Sequence, residues 1–239
     1  MYQVSPFSPT EGGPLLTHRP SHETTASALT WASYLLAKHP SYQTKLRSEV
    51  TAALGSNPHS SQSPPADLAN TLKQLPYLNG IIHETLRLYP TVPLTMRYAL
   101  RDTSLGTQFI PQGTEVVVSI WQINRSPEIW GADAGEFRPE RWISAEEATW
   151  GPNGMPAMKP NNHGGAKSNY DFLTFLQGPR SCIGQEFAKA EMRCLLATLV
   201  AGFEWTLAME ESRVVPRGVI TIKPEHGMYL RMRPLHREF

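Results

Sequence analysis

A cysteine lies in a short loop directly ahead of a predicted helix. Residues 175–184 read Phe-Leu-Gln-Gly-Pro-Arg-Ser-Cys-Ile-Gly, and apolar side chains follow at helical spacing from Ile183 to Phe203. A cysteine at a helix N-terminus faces unpaired backbone amides and the positive end of the helix dipole, which favour the thiolate over the thiol. Because a thiolate is a good ligand for iron, Cys182 is a candidate metal ligand.

Other residues of this loop could support a group bound by the cysteine. Gly178 and Gly184 permit tight turns and close backbone approach, and Phe175 can pack against the cysteine or a bound ring. The Arg180 guanidinium can donate a fork of hydrogen bonds to a carboxylate. The alternative is that Cys182 is an inert, buried cysteine, which is also the prediction for Cys194 in the following helix.

Helical patterns dominate the chain ahead of this loop. Four prolines predict irregular coil over residues 1–20, because each proline lacks a backbone donor. Three helices are predicted next, from the N-cap residue Ser21 to Pro40, from there to Gly55, and from Leu68 to Tyr89.

Strand-like patterns are fewer. The β-branched run at 114–121 predicts a strand, and the alternating segments 219–222 and 228–235 predict a terminal hairpin. Residues 144–170 are poor in apolar side chains and predict a long surface loop. The fold class predicted is therefore mainly α with a small β component, from residues 92–120 and the tail.

Composition narrows the classes of partner and compartment. The formal net charge is +1, which gives no bulk attraction to nucleic acid. Two cysteines cannot form a disulfide framework, so a reducing compartment is favoured. No apolar run approaches the roughly 20 residues of a membrane span, and no signal-peptide pattern is present, so neither a span nor a leader is expected in this chain.

The cysteine loop carries a family resemblance. It matches the pattern F-x-x-G-x-R-x-C-x-G, which arises by chance on the order of one time in ten thousand or less in such a chain. The sequence resembles the cytochrome P450 family from about His22 to the C-terminus, and is closest in character to fungal members. The resemblance implies a haem cofactor with the Cys182 thiolate as its iron ligand. It also places Phe175, Gly178, Arg180 and Gly184 at the cofactor.

A second set of residues gains meaning from the resemblance. Glu84 and Arg87 lie three residues apart on one face of a predicted helix, and an arginine recurs at Arg141 in the segment Phe-Arg-Pro-Glu-Arg-Trp. Alone, such a pair is usually a solvated surface bridge of little energetic value. The resemblance implies instead a structural Glu84–Arg87–Arg141 triad that stabilises the core behind the cysteine loop.

Two further regions are assigned by the resemblance alone. Arg97 matches a position where an arginine binds a haem propionate, and the alternative is an exposed strand arginine. The segments Val92–Thr95 and Lys223–Met228 resemble segments that line the substrate pocket.

The pair Glu23-Thr24 resembles the oxygen-activating segment of the family. There an acid and a threonine hydroxyl relay protons to iron-bound oxygen, so both residues are candidate catalytic groups. The alternative is a capping box, since these residue types are good helix caps. Pro20-Ser21 stands where an Ala-Gly pair is expected, and proline-rich chain replaces the preceding helical half. Residues 21–239 are therefore expected to form the C-terminal part of a P450 domain, and residues 1–20 an irregular segment.

The function implied is that of a monooxygenase. Such an enzyme inserts one oxygen atom from O₂ into a small organic substrate, using haem and electrons from a reductase. Two alternatives stay open: a truncated, non-catalytic fragment that binds haem weakly or not at all, and a haem-thiolate isomerase or dehydratase. Full-length relatives are often anchored to the endoplasmic reticulum membrane, and the sequence itself assigns neither an organelle nor a substrate.

Overall fold

The computed structural model describes residues 19–55, 67–150 and 156–235. Of the coil predicted over residues 1–20, residues 1–18 lie outside these ranges, and residues 19 and 20 are helical. The first helix, α1, spans Arg19–Lys38, so it begins before the predicted Ser21 N-cap, and that prediction is wrong. Pro20 is compatible with this earlier start because the first turn of a helix needs no backbone donors there.

The second helix ends at the predicted glycine, whereas the third predicted helix is divided in two by a proline. Helix α2 spans Pro40–Leu54 and ends on Gly55, which has a positive φ of 91°. The single helix predicted from Leu68 is instead two, α3 over Leu68–Gln74 and α4 over Pro76–Leu88. The break falls at Leu75, which is extended because the proline ring that follows it disfavours helical geometry.

The remaining helices are short, with one exception. They are α5 Ile120–Ile123, α6 Pro127–Trp130 and α7 Gln185–Gly202, and 3₁₀ turns cover Pro139–Trp142, Gly178–Arg180 and Glu211–Arg213. Helix α7 is the helix predicted after the cysteine loop. No helix in the described ranges is long and apolar enough to cross a membrane.

The strands form two-stranded antiparallel pairs. In chain order they are β1 Leu94–Tyr98, β2 Thr103–Leu105, β3 Gln108–Ile110, β4 Glu115–Ser119, β5 Ile143–Trp150, β6 Pro156–Pro160, β7 Phe203–Leu207, β8 Pro216–Arg217, β9 Lys223–Pro224 and β10 Leu230–Pro234. The pairs are β1 with β4, β2 with β3, β5 with β6, β7 with β10, and β8 with β9. The predicted class, mainly α with a small β component, is confirmed.

Two sequence predictions about strands are wrong. Much of the loop predicted over 144–170 is the β5–β6 hairpin, in which Ile143 pairs with Pro160. The terminal hairpin is also different, because β10 pairs with β7 and residues 219–222 lie in the turn between β8 and β9. Alternating side chains indicate that a segment suits a strand, but they do not select its partner.

The core lies where α1, α2, α4 and α7 meet. Its fully buried members include Trp31, Leu46, Leu78, Leu196 and Trp205. A smaller cluster of Trp130, Ala134 and Trp142 lies beside it. Helix α7 turns Met192, Leu196 and Val200 inward, whereas Phe187 and Leu195 are 68% and 44% exposed.

Candidate functional site

The cysteine loop is closed by backbone hydrogen bonds. The amide of Cys182 donates to the carbonyl of Phe175 at 2.8 Å, and the amide of Ser181 donates to Gly178 at 3.0 Å. Gly178 has a φ of +75°, and Leu176 has a φ of +58°, which is uncommon for a residue with a Cβ. The chain therefore turns tightly between Phe175 and the cysteine.

The cysteine side chain is exposed beside the start of α7. Gly184 is the N-cap of this helix, and the amide of Gln185 donates to the Cys182 carbonyl at 3.4 Å. Because both thiols are exposed, the alternative of a buried Cys182 is wrong, as is the burial predicted for Cys194. A Cβ placed on Gly184 would lie 4.0 Å from the Cys182 sulfur, so a side chain there would border the thiol.

A buried cation lies beneath the loop. The Lys189 ammonium is 5.5 Å from the centroid of the Phe175 ring, and it pairs with Glu186 at 3.7 Å. Lys189 is 8% exposed, and burial lowers its pKa. The sequence analysis did not identify this lysine, because only its position on the inward side of α7 distinguishes it from a surface residue.

The two arginines assigned to the cofactor are surface residues. Arg180 is exposed in the 3₁₀ turn that precedes Cys182. Arg97 lies on β1, where its Nη1 donates to the Thr95 hydroxyl at 2.9 Å and to the Met96 carbonyl at 2.8 Å. Both guanidinium groups are therefore accessible to an anion, and their roles stay predictions.

Glu84, Arg87 and Arg141 are brought together in the interior. Arg87 donates from Nε and Nη2 to the two Glu84 carboxylate oxygens, each at 2.8 Å. Arg141 Nε donates to the same carboxylate at 3.3 Å. Glu84 and Arg87 are fully buried, so they do not form the solvated surface bridge that was the alternative.

Further contacts complete this set. Glu84 also accepts hydrogen bonds from the Trp142 indole at 2.9 Å and from the Arg138 amide at 3.0 Å. Asp133 binds Arg141 Nη2 at 2.7 Å, and the hydrogen bonds from Arg141 and then Arg138 lower the pKa of Asp133 to about 2. Sequence spacing does not mark Asp133, because its contact with Arg141 depends on the fold of the intervening turn.

A buried asparagine connects these charges to the cysteine loop. The backbone carbonyl of Asn124 accepts a hydrogen bond from Arg87 Nη1 at 2.7 Å. Its side chain donates to the Thr174 hydroxyl at 2.8 Å and accepts from the Leu173 amide at 3.3 Å. Thr174 in turn donates to the Leu86 carbonyl at 2.8 Å. The segment directly ahead of the cysteine loop is thus held to α4 and to Asn124 by side-chain hydrogen bonds.

An open cavity of about 710 Å³ brings the other predicted residues together. It is lined by Glu23 and Thr24 of α1, by Val92, and by the tail turn from Arg217 to Glu225. The segments predicted to line a substrate pocket therefore meet the predicted proton-relay pair at one cavity. Glu23 and Thr24 lie beyond the first turn of α1, so the capping-box alternative is wrong.

The Glu23 carboxylate is bound to the tail turn. It pairs with the Lys223 ammonium at 2.8 Å and accepts from the Thr221 hydroxyl at 3.1 Å. The hydrogen bond from Lys223, followed by that from Thr221, lowers the pKa of Glu23. The carboxylate is therefore ionised at neutral pH.

Helix α1 holds the same turn at two further points along one face. The Ser27 hydroxyl donates to the Ile222 carbonyl at 2.6 Å, and the Trp31 indole donates to that carbonyl at 3.4 Å. The Ile222 amide donates to the Thr91 carbonyl at 2.8 Å. Glu23, Ser27 and Trp31 are spaced four residues apart, which places them on one helical face.

The residues predicted to hold the cofactor suit a metal that is carried by a cofactor rather than bound by side chains alone. Within the described residues, no group of three or more His, Cys, Asp or Glu side chains could hold a metal ion. The exposed Cys182 thiol on its tight loop suits an iron ligand. The exposed arginines at 97 and 180 suit two carboxylates, and the exposed apolar side chains of Ile183 and Phe187 suit a planar apolar ring. Together these residues fit a planar group that carries iron and two carboxylates.

Comparison with known proteins decides the family. A family model described as Cytochrome P450 matches residues 20–230. The chain belongs to the cytochrome P450 family. It is 46% identical over 218 residues to the cytochrome P450 monooxygenase sphH of Aspergillus fumigatus, covering 90% of this chain and 37% of that protein.

Other relatives have similar coverage. The cytochrome P450 monooxygenase ALT8 of Alternaria alternata is 40% identical over 233 residues, covering 89% of this chain and 39% of that protein. A cytokinin hydroxylase of Arabidopsis thaliana is 38% identical over 214 residues, covering 90% of this chain and 36% of that protein. The chain thus spans less than half the length of these relatives.

Proposed function

We propose that this P450 chain supplies the haem-thiolate part of a monooxygenase that inserts one oxygen atom from O₂ into a small organic substrate. The observation that carries the proposal is the exposed Cys182 thiol on its closed loop at the start of α7. The names of its relatives, cytochrome P450 monooxygenases, support the same reaction class. Electrons would come from a reductase partner.

Each residue of the loop has a defined part in this proposal. Cys182 would ligate the haem iron, Phe175 would pack beneath the loop, and the cations Arg97 and Arg180 would pair with the propionates. The tight turns at Gly178 and Gly184 keep the backbone close to the thiol. When bound, a thiolate-ligated haem supplies the chemistry that activates O₂.

Glu23 and Thr24 would move protons at the cavity. The Glu23 carboxylate is ionised and held by Lys223, and the neighbouring Thr24 lines the same space. An acid next to a hydroxyl can pass protons from solvent to a reacting oxygen through water. This arrangement favours oxygen activation over the isomerase or dehydratase alternative, whose family members often lack the pair.

A non-catalytic fragment is the second candidate. The chain spans 37% of one relative and 39% of another. The small share of each relative that this chain matches is the observation that favours this candidate.

Carbon monoxide binding separates the two candidates. The purified chain is supplied with haem, reduced and exposed to carbon monoxide, and a red-shifted, thiolate-type Soret band is expected. Cys182→Ala should abolish that band. Cys194→Ala is the matched control, since this exposed cysteine lies on α7, and it should keep the band. Absence of haem uptake would overturn catalysis by this chain, and a thiolate band in Cys182→Ala would overturn the ligand assignment.

A further inference from the structure

A second cavity, of about 380 Å³, lies where α1 ends and α2 begins. It shares no lining residue with the Glu23 cavity. The rings of Tyr34, Tyr89 and Phe137 form part of its wall, and Arg125 lies among them. None of the residues assigned to haem or to the proton relay lines it.

The Arg125 guanidinium lies against two aromatic rings at this cavity. Its central carbon is 3.4 Å from the centroid of a Trp121 ring and 5.4 Å from that of Tyr89. Its Nη1 is buried and has no hydrogen-bond partner within the described part of the chain. Burial lowers the pKa of Arg125 to about 10, so the group stays charged at neutral pH. A buried donor without an acceptor is unfavourable, and a charged donor more so.

The other charged groups around the cavity already have partners or face solvent. The Lys38 ammonium binds the Glu211 carboxylate, which also accepts from the Tyr34 hydroxyl at 3.1 Å. Burial lowers the pKa of His39, which keeps its ring neutral at neutral pH. Glu136 is exposed, so water solvates its carboxylate. Arg125 is thus the lining cation for which the described residues supply no carboxylate.

We propose that this cavity binds a small monocarboxylate with an aromatic or short apolar body. A guanidinium presents a planar fork of donors that matches a carboxylate, and its charge is delocalised over the whole group. The tyrosine and phenylalanine rings provide an apolar wall for the rest of the ligand. A cavity of this size lies near the lower end of the range for small-molecule sites, about 300–1,000 Å³. A single uncompensated cation suits a monoanion better than a phosphate dianion.

Calorimetric titration with benzoate tests the proposal on the chain without haem. Saturable binding at one site per chain is expected, and Arg125→Met should weaken it at least tenfold. Arg213→Met is the control, because Arg213 is an exposed arginine in the 3₁₀ turn Glu211–Arg213 and does not line the cavity. Inorganic phosphate at equal concentration should displace little benzoate.

A conservative variant guards against loss of folding. Arg125→Lys keeps the charge and most of the stem but lacks the planar fork, so several-fold weaker binding is expected. Circular dichroism checks that each variant is folded. The proposal is overturned if benzoate shows no saturable binding, if Arg125→Lys and Arg125→Met bind as the parent does, or if phosphate competes as well as benzoate.

Discussion

At the scale of single residues, Glu84 shows how this fold accommodates a buried charge. It is fully buried, yet side chains of Arg87, Arg141 and Trp142 and a backbone amide donate to its two oxygens. A buried carboxylate is tolerated only when it is paired and hydrogen-bonded in this way. The family pattern predicts the arginines, whereas the indole and amide donors depend on a turn that no local pattern specifies.

Glu84→Gln should destabilise the chain strongly. The change leaves the buried Arg87 cation without its carboxylate, and breaking a buried pair in this way costs about 3–5 kcal/mol. Urea unfolding of the parent and the variant measures the difference in the free energy of unfolding. Glu128→Gln, at an exposed glutamate of α6, is the control and should change it by less than about 0.5 kcal/mol. A loss below about 1 kcal/mol for Glu84→Gln would contradict the structural role.

Lys223→Met should raise the pKa of Glu23. The Lys223 ammonium is the principal cause of the lowered value, and its removal leaves only the Thr221 hydrogen bond. Because the carboxylate pKa is lowered, the ion pair contributes stability at every pH above the ordinary glutamate pKa. This contribution disappears as the pH falls through the pKa of Glu23 in the folded chain. Carbon-detected NMR of the Glu23 carboxyl group follows the titration.

The control for this titration is a surface cation elsewhere. Arg101→Met, in the turn between β1 and β2, should leave the Glu23 titration unchanged. An unaltered Glu23 pKa in Lys223→Met would show that the tail lysine does not bind this carboxylate in solution.

At the scale of elements, the sequence predicts helices better than strand partners. Pro40 and Gly55 act locally, so the ends of α1 and α2 are correctly predicted. The partner of β10 could not be read from the sequence, because residues 208–229, which carry β8 and β9, separate it from β7. The cysteine loop was predicted from a local motif and the segments lining the Glu23 cavity from the family resemblance, whereas no pattern in the sequence predicted the cavity at Arg125.

Gly80→Ala should destabilise α4 although it raises helix propensity. Replacing glycine by alanine inside a helix normally stabilises by about 0.5–1 kcal/mol. Here a Cβ would lie 2.7 Å from the Pro139 carbonyl oxygen, so α4 would have to move away from the turn that carries Arg141. A net loss of about 1–3 kcal/mol in the free energy of unfolding is expected.

Gly202→Ala is the matched comparison. Gly202 ends α7, and no atom would lie within 4 Å of an added Cβ. Denaturant unfolding should show little change or a small gain for this variant. Equal effects at positions 80 and 202 would indicate that α4 does not contact the turn as closely as the structure shows.

At the scale of the whole molecule, one buried histidine lies between the two hydrophobic clusters. The His83 ring stacks on Trp142 at 4.9 Å between centroids, and it is 3% exposed. Its Nδ1 is 2.9 Å from the Asn79 carbonyl oxygen. Burial is the main cause that lowers the pKa of His83 to about 3, so protonation and folding compete.

Global stability should therefore decline with acid from about pH 6.5 downward. The unfolded chain takes up a proton at the ordinary histidine value, whereas the folded chain resists it until about pH 3. The stability that neutral His83 contributes is complete above the pKa of the histidine in the unfolded chain. Between that pKa and the pKa in the folded chain, the free energy of unfolding falls by up to about 1.4 kcal/mol per pH unit. Urea unfolding at a series of pH values measures the slope.

A substitution that keeps an aromatic ring at position 83 but removes the titratable group tests whether His83 causes the acid sensitivity. His83→Phe should flatten the slope between about pH 4 and 6.5, whereas His226→Gln, at an exposed histidine of the tail, should leave it as in the parent. A slope that persists unchanged in His83→Phe would assign the acid sensitivity to other groups.

The tail turn at the Glu23 cavity has a consequence for how such a chain diversifies. Its centre is held through the backbone of Ile222, whose carbonyl binds Ser27 and Trp31 and whose amide binds Thr91. Backbone atoms are the same whatever side chain they carry, so the neighbouring positions Val219 and Ile220, which are 99% and 74% exposed, can be replaced without displacing the loop. Random libraries at those two positions would therefore vary the wall of the cavity while the backbone of the turn stays in place.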